Sequence, residues 1–152
     1  MRGGRAEKKH GGQEQQALGR SRGGFSTKIH AAVGALGNPL RFILTGGECH
    51  ESPHAPALIA GYSMQALIGD KGYDDSDFIK ALIAAGIEAV IPPRANRKEQ
   101  REYDEHLYRE RHLVECFINK IKQYRRVFSR FEKLSKNYLG FLSFVSALVW
   151  LR

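Results

Sequence analysis

The apolar and polar positions of the first ordered third of the chain alternate, which predicts strands. Phe25 to Ala35 carries Thr27, Ile29 and Val33 in near-alternation, Gly37-Asn38-Pro39 is a turn signal, and Leu40 to Thr45 follows as the partner strand of a hairpin that Gly46-Gly47 ends. Pro56 to Tyr62 is a short helix candidate, and Gln65 to Gly69 is a brief apolar run bounded by turn residues, the pattern of a buried strand. Asp75 to Ala85 predicts a helix: Asp75 or Ser76 can cap it, Phe78, Ile79, Leu82 and Ile83 share one face, and Gly86 ends it. Glu88 to Ile91 is a second buried strand, stopped by Pro92-Pro93. The order β–α–β implies parallel strands and an α/β fold.

Farther along, Arg94 to Glu102 is charged and nearly without apolar residues, so it reads as a loop. A long helix is expected from Glu105 to Arg130, with Leu107, Val114, Ile118, Ile121 and Phe128 on its apolar face. A final helix is expected from Ser135 to Leu151, with Phe141, Phe144, Leu148 and Trp150 facing the core or, as the alternative, a second copy of the chain. Its apolar stretch is broken by Gly140, Ser143 and Ser146 and falls short of the ~20 residues that span a bilayer. Residues 1–24 have almost nothing to bury and are expected to form a basic, disordered arm, leaving 25–152 as the folded domain.

Composition narrows the partners. A chain of 152 residues suffices for one domain with a modest core, and 42% apolar residues exclude wholesale disorder. With 24 Lys and Arg against 16 Asp and Glu, the formal charge is +8, which favours a polyanion: nucleic acid first, an anionic membrane second. A merely solvated basic face has the same charge. Cys49 and Cys116 form neither a disulfide framework nor a ligand pattern, which suits a reducing cytosol, and the N-terminus has no secretory signal. Cys49, His50 and His54 lack a fourth ligand and a regular spacing, and His106 and His112 read as surface residues.

Chemistry enters with Tyr108, Arg111, Glu115 and Lys122. At about 100° per residue these four fall within about 60° of one another on a helix, a polar stripe beside the apolar face. An Arg and a Glu four apart commonly make an ordinary surface pair worth a few tenths of a kcal/mol, roughly. A second carboxylate sharpens the reading. Asp70 stands just past the end of a predicted buried strand, where α/β sheets gather functional groups. Gly69 and Gly72 permit a tight turn there, and Lys71 adds a charge for phosphate, although Asp and Gly are also common in plain turns.

The combination resembles the DDE transposases of bacterial insertion sequences, in the group with the signature Tyr-x2-Arg-x3-Glu-x6-Lys, matched here by Tyr108, Arg111, Glu115 and Lys122. The segment Gly69-Asp70-Lys71-Gly72-Tyr73-Asp74 is similar to the one carrying that group's second catalytic Asp. Gly19 to His30, Val90 to Arg97 and the Tyr124-Arg125-Arg126 stretch also resemble it, so the likeness runs from about residue 17 to the end.

The resemblance implies a ribonuclease H-like mixed sheet flanked by helices. Three carboxylates would hold two divalent ions, Mg²⁺ or Mn²⁺, for cleavage and strand transfer at double-stranded DNA. Asp70 and Glu115 would be two of the three metal ligands, and Tyr108, Arg111 and Lys122 would bind the transposon end. Lys71, Arg94, Arg97, Lys98 and Arg101 are further candidates for backbone phosphates. The family's first Asp lies on a strand upstream of the basic Gly19–Gly24 stretch, yet residues 1–24 contain no aspartate, and Glu7 and Glu14 are on no plausible strand. The expectation is therefore a catalytic-side portion lacking its first strand, in the bacterial cytosol, acting as a homo-oligomer or with an upstream-frame product. A frameshifted element, a misassigned start and a decayed remnant all fit. A non-catalytic DNA-binding remnant is the alternative function, and a basic RNA-binding protein a more distant one.

Overall fold

The computed structural model describes residues 12–151. It is a mixed α/β molecule, and the expected β–α–β unit is present, but its strands form two separate sheets. The first is an antiparallel meander of β1 (Gly19–Ser21), β2 (Gly24–Val33) and β3 (Pro39–Gly46). β2 and β3 pair from Thr27↔Gly46 to Ala32↔Arg41, with the register shifting between Ala32 and Val33. The second sheet is a parallel pair, β4 (Ala66–Ile68) with β5 (Glu88–Val90). Helix α1 (Ala55–Ile59) precedes β4, and α2 (Ser76–Ala84) is the crossover to β5.

Local chemistry accounts for α2. The Asp75 carboxylate accepts hydrogen bonds from the Asp77 and Phe78 amides at 3.1 and 3.0 Å, satisfying donors that the first turn leaves unpaired. Phe78, Ile79 and Leu82 are buried, and the chain leaves the helix through Gly86 at φ 73°, a conformation that disfavours a side chain. Ile83, placed on the apolar face by its spacing, is instead exposed.

The helical C-terminal third departs further from expectation. The predicted single helix is divided into α3 (Glu105–Tyr108), a 3₁₀ turn over Arg109–Arg111, α4 (His112–Lys122) and α5 (Arg125–Phe128). Tyr124 is extended and turns the chain, so Val127 is buried and Phe128 is exposed. Phe117, absent from the expected apolar face, is buried with Ile121. In α6 (Ser135–Trp150) the buried residues are Tyr138, Leu142, Val145 and Ser146, whereas Phe144 and Trp150 are exposed. That helix is apolar on most sides, so periodicity could not choose its inner face. Order also begins before Phe25. Beyond pairing through β1, the segment is pinned by Arg130, whose guanidinium donates to the Ala17 carbonyl and the Thr27 hydroxyl, and by the Gln16 side chain, which accepts from the Ser135 amide at 2.9 Å. Residues 1–11 of the expected arm lie outside the described residues.

Each sheet has its own core. Ala55, Phe78, Ile79, Leu82 and Ile91 pack around β4 and β5; Phe117, Ile121, Val127, Leu142 and Val145 pack under the meander. Polar contacts join the halves. Arg41 donates to the carbonyls of Ala57 and Ala60 at 2.8 and 2.7 Å, and the Tyr62 hydroxyl donates to the Leu40 carbonyl at 2.9 Å. His30, 2% exposed, lies between Thr45 and Tyr73 at 2.9 and 3.4 Å. The Thr45 hydroxyl already donates to the Gly46 carbonyl, so it accepts from His30 Nε2–H, and His30 Nδ1 accepts from Tyr73. Lys28 nearby donates to Glu51 and to the Cys49 carbonyl.

Two measurements test this packing. Leu142→Ala should destabilise the fold by about 2–5 kcal/mol in urea unfolding, and Phe144→Ala by less than about 1 kcal/mol, the reverse of what the sequence spacing predicts. Burial, with neighbouring His54 and Lys28, lowers the His30 pKa to about 4 from the usual 6.5. The unfolded chain therefore takes up the extra proton first. The stability due to neutral His30 is complete above about pH 6.5 and is lost as the pH falls towards 4, by at most about 3 kcal/mol. Unfolding midpoints across that range should show the slope in the wild type and a smaller one in His30→Gln.

Candidate active site

The strand β4 delivers Asp70. After Ile68 the chain stays tied to β5 through the Gly69 amide, which donates to the Val90 carbonyl at 3.1 Å. Asp70 then caps a 3₁₀ turn over Lys71–Tyr73, its Oδ1 accepting from the Lys71 amide at 2.6 Å. Neither Gly69 nor Gly72 has a positive φ. Space is what restricts them: a Cβ on Gly69 would lie 3.2 Å from the Ile91 side chain, and one on Gly72 would lie 3.3 Å from Glu51.

The same turn is clamped from below. The Asp74 side chain has no exposed surface, and its carboxylate accepts from the Arg94 amide at 2.8 Å, from Arg97 Nε at 2.6 Å and from Arg101 at 3.3 Å. Burial alone would raise its pKa; the Arg94 amide, Arg97 and Arg101 outweigh that and hold it below the usual carboxylate range. The Arg94 guanidinium donates to the Lys71 and Gly72 carbonyls at 3.2 and 3.0 Å, and Arg101 also donates to the Ile91 carbonyl at 2.6 Å. The segment after β5, expected as a loop free to meet phosphate, is thus folded back onto the Asp70 turn. Arg94 and Arg97 are engaged inside the protein, whereas Lys71 and Lys98 are exposed. Sequence reasoning missed Asp74 as the hub; its one signal is a second acid in a turn, four residues beyond Asp70.

Helix α4 brings the other half of the site. Arg111, the last residue of the 3₁₀ turn, reaches both carboxylates: its Nη2 donates to Glu115 Oε1 at 2.6 Å, and its Nη1 lies 3.8 Å from Asp70 Oδ2. In a 3₁₀ turn residues three apart eclipse, which sets the Arg111 guanidinium over the Tyr108 ring at 5.8 Å. Tyr103 packs edge-on against Tyr108, at 5.5 Å between centroids. Burial raises the Tyr108 pKa against the opposing effect of Arg111, and burial pushes Tyr73, behind Asp70, up to about 12. Both phenols therefore stay protonated as donors at neutral pH. Lys122 stands exposed two turns beyond Glu115.

Asp70, Tyr108, Arg111 and Glu115, from a strand end and a helix start far apart in sequence, thus share one surface. Comparison with known proteins gives the family of the chain. A family model described as the transposase DDE domain matches residues 3–150. The chain belongs to that family. A relative assigned as a transposase for insertion sequence element IS6501, from Brucella ovis, is 39% identical over 131 residues, covering 84% of this chain and the whole of the relative. No solved structure matches the chain significantly. Transposases of this family act in DNA transposition and use divalent metal ions. No helix of the described residues is long and apolar enough to cross a membrane.

For a metal the donor chemistry fits in part. Asp70 and Glu115 offer hard, half-exposed carboxylate oxygens of the kind Mg²⁺ or Mn²⁺ takes. Among the described residues, however, no group of three His, Cys, Asp or Glu side chains is assembled to hold an ion.

The Asp74 hub has a measurable consequence. Asp74→Asn keeps an acceptor for the Arg94 amide but removes the counter-charge of Arg97 and Arg101. It should cost about 2–3 kcal/mol in chemical unfolding and increase amide exchange across residues 69–74. A substitution at exposed Lys98 should leave both unchanged.

Proposed function

We propose that this transposase-family chain is the catalytic-side part of a DNA cleavage and strand-transfer enzyme, ribonuclease H-like in plan, with Asp70 and Glu115 as two of the metal ligands. The carrying observation is the Arg111 fork: an ordinary Arg–Glu pair on a helix has no need of a third group, yet the guanidinium also meets the acid at the end of β4. Divalent ions at such carboxylates, two of them in a complete site, supply charge stabilisation to the entering and leaving oxygens of a phosphodiester. The chain's own residues would do the rest. The Arg111 fork neutralises the two acids and presents its remaining N–H groups to the DNA backbone, Tyr108 supports its plane, and exposed Lys122 and Lys71 add phosphate contacts along the same face. Arg94 and Arg97 then act chiefly by shaping the Asp70 turn.

On this reading, with no third ligand assembled among the described residues, these residues bind duplex DNA and do not by themselves cut it. On a fluorescein-labelled duplex, Lys122→Ala should weaken binding severalfold at low salt and reduce the salt slope by about one, while Asp70→Ala should preserve or tighten binding. Incubation with Mn²⁺ should leave the duplex intact. Robust metal-dependent cleavage by the chain alone would sink the claim of an incomplete site, and a strong preference for RNA over duplex DNA would overturn the DNA reading itself.

A further inference from the structure

Three phenylalanines are exposed on two segments that one arginine ties together: Phe25 is 63% exposed, Phe128 70% and Phe131 58%. The Arg130 guanidinium donates to the Ala17 carbonyl and the Thr27 hydroxyl, and its Nε donates to the Glu132 carbonyl at 2.9 Å. The chain after α5 therefore lies against the start of β2. Residues two apart on a strand share a face, which puts Phe25 on the side of Thr27. Farther along β2 the same face carries Ile29, Ala31 and Val33 under the helices; at Phe25 that cover has ended. This surface is not the one that holds Asp70 and Glu115. Leu113, at the start of α4, meets Gly37 in the β2–β3 turn, whereas Arg130 meets Thr27 near the opposite end of β2. The length of α4, about 16 Å, separates the two places.

Cations bracket the rings. Arg20 stands opposite Phe25 across the β1–β2 pair, and the Arg125 guanidinium lies 5.6 Å from the centre of the Phe131 ring. Arg20, Arg22, Arg125, Lys133 and Lys136 are all exposed. Residues 17–30 and 123–137 together hold eight Lys and Arg against one acid, close to the whole of the chain's net charge of +8. That acid, Glu132, has a side chain only 13% exposed and sits 3.4 Å from Arg126. From outside these segments Glu48 approaches, packing over Gly19 and Gly46.

We propose that this face is a second DNA site, a stacking platform for the unpaired bases of a single strand. A lone exposed ring is ordinary, but three rings on two joined segments, with cations between them, suit one kind of occupant. An unpaired strand offers its base faces to the rings and its phosphates to the cations, and Arg125 can stack on a base as it does on Phe131. A duplex keeps its base faces inside its own stack, so it gains from the cations alone. A second copy of this chain would bring the same positive charge against it. A membrane surface is met by an amphipathic helix of several turns, and α5 has four residues. The choice of DNA over RNA rests on the function proposed above; the platform itself does not.

The test uses the full chain with a thymidine oligonucleotide about a dozen nucleotides long, its abasic counterpart and a duplex of the same length. Phe25→Ala and Phe131→Ala should each weaken binding of the thymidine strand about tenfold and change duplex affinity less than about twofold, with unaltered circular dichroism. Phe131→Leu keeps the apolar bulk without the ring and should lose as much as Phe131→Ala, whereas Phe131→Trp should bind at least as tightly as the wild type. A 2-aminopurine base in the strand should lose fluorescence on the wild type and keep it on Phe131→Ala. Equal binding of the thymidine and abasic strands, or equal losses for strand and duplex when a ring is removed, overturns the proposal. So does tighter binding of oligouridine, or of anionic vesicles, than of the thymidine strand. Duplex binding through Lys122 is scored separately. A chain that holds the strand through its rings but ignores the duplex sinks the duplex reading and leaves the platform standing; a chain that holds the duplex with the rings silent does the converse.

Discussion

Asp74 has no exposed side-chain surface, and a buried carboxylate must be met by donors and cations or give up its charge. Here it is met by one amide and two guanidinium groups, all from the stretch that follows β5. That one charge therefore decides the course of residues 94–101, which composition alone would leave free. It also fixes the turn four residues upstream, since Arg94 spans from the Asp74 carboxylate to the Lys71 and Gly72 carbonyls. The position of Asp70, and with it the point where Arg111 can gather a second acid, rests on this hub.

The two halves of the molecule are joined mainly by polar groups. Each sheet keeps a separate apolar core, and His30, Tyr73, Arg41, Tyr62 and the Arg111 fork cross between them. Hydrogen bonds of this kind are directional and modest in net strength, about 1 kcal/mol each. They set the relative placement of the sheets without closing the space between them. A fold held this way has the site at the seam, because the seam is where the end of β4 faces the start of α4.

The 3₁₀ turn over Arg109–Arg111 shows how a local deviation serves the site. In a regular α-helix Tyr108 and Arg111 would sit about 60° apart; in the tighter turn they eclipse, and the ring supports the guanidinium. The cation is thereby held with one edge on Glu115 and the other towards Asp70. Membership of the DDE transposase family is consistent with two acids converging there, and the basic balance of the chain suits its DNA substrate.

Much of this was legible in the sequence. Period-two alternation foretold the β2–β3 hairpin, apolar runs bounded by turn residues foretold β4 and β5, and Asp75 and Gly86 marked the ends of α2, because each signal lies within a few neighbouring residues. The spacing of Tyr108, Arg111, Glu115 and Lys122, with Asp70 at a strand end and the flanking segments Gly19 to His30, Val90 to Arg97 and Tyr124 to Arg126, was enough to identify the family. Other features depend on partners distant in sequence, and only the tertiary structure decided them. The inner face of α6 follows from what packs against it, since the helix is apolar on most sides. The break at Tyr124, the anchoring of residues 16 and 17 by Ser135 and Arg130, and the commitment of Arg94, Arg97 and Arg101 to Asp74 all join residues that sequence order separates. A charged residue carries the same local pattern whether it meets water, DNA or a buried carboxylate. Its environment chooses among them, and that environment exists only once the chain has folded.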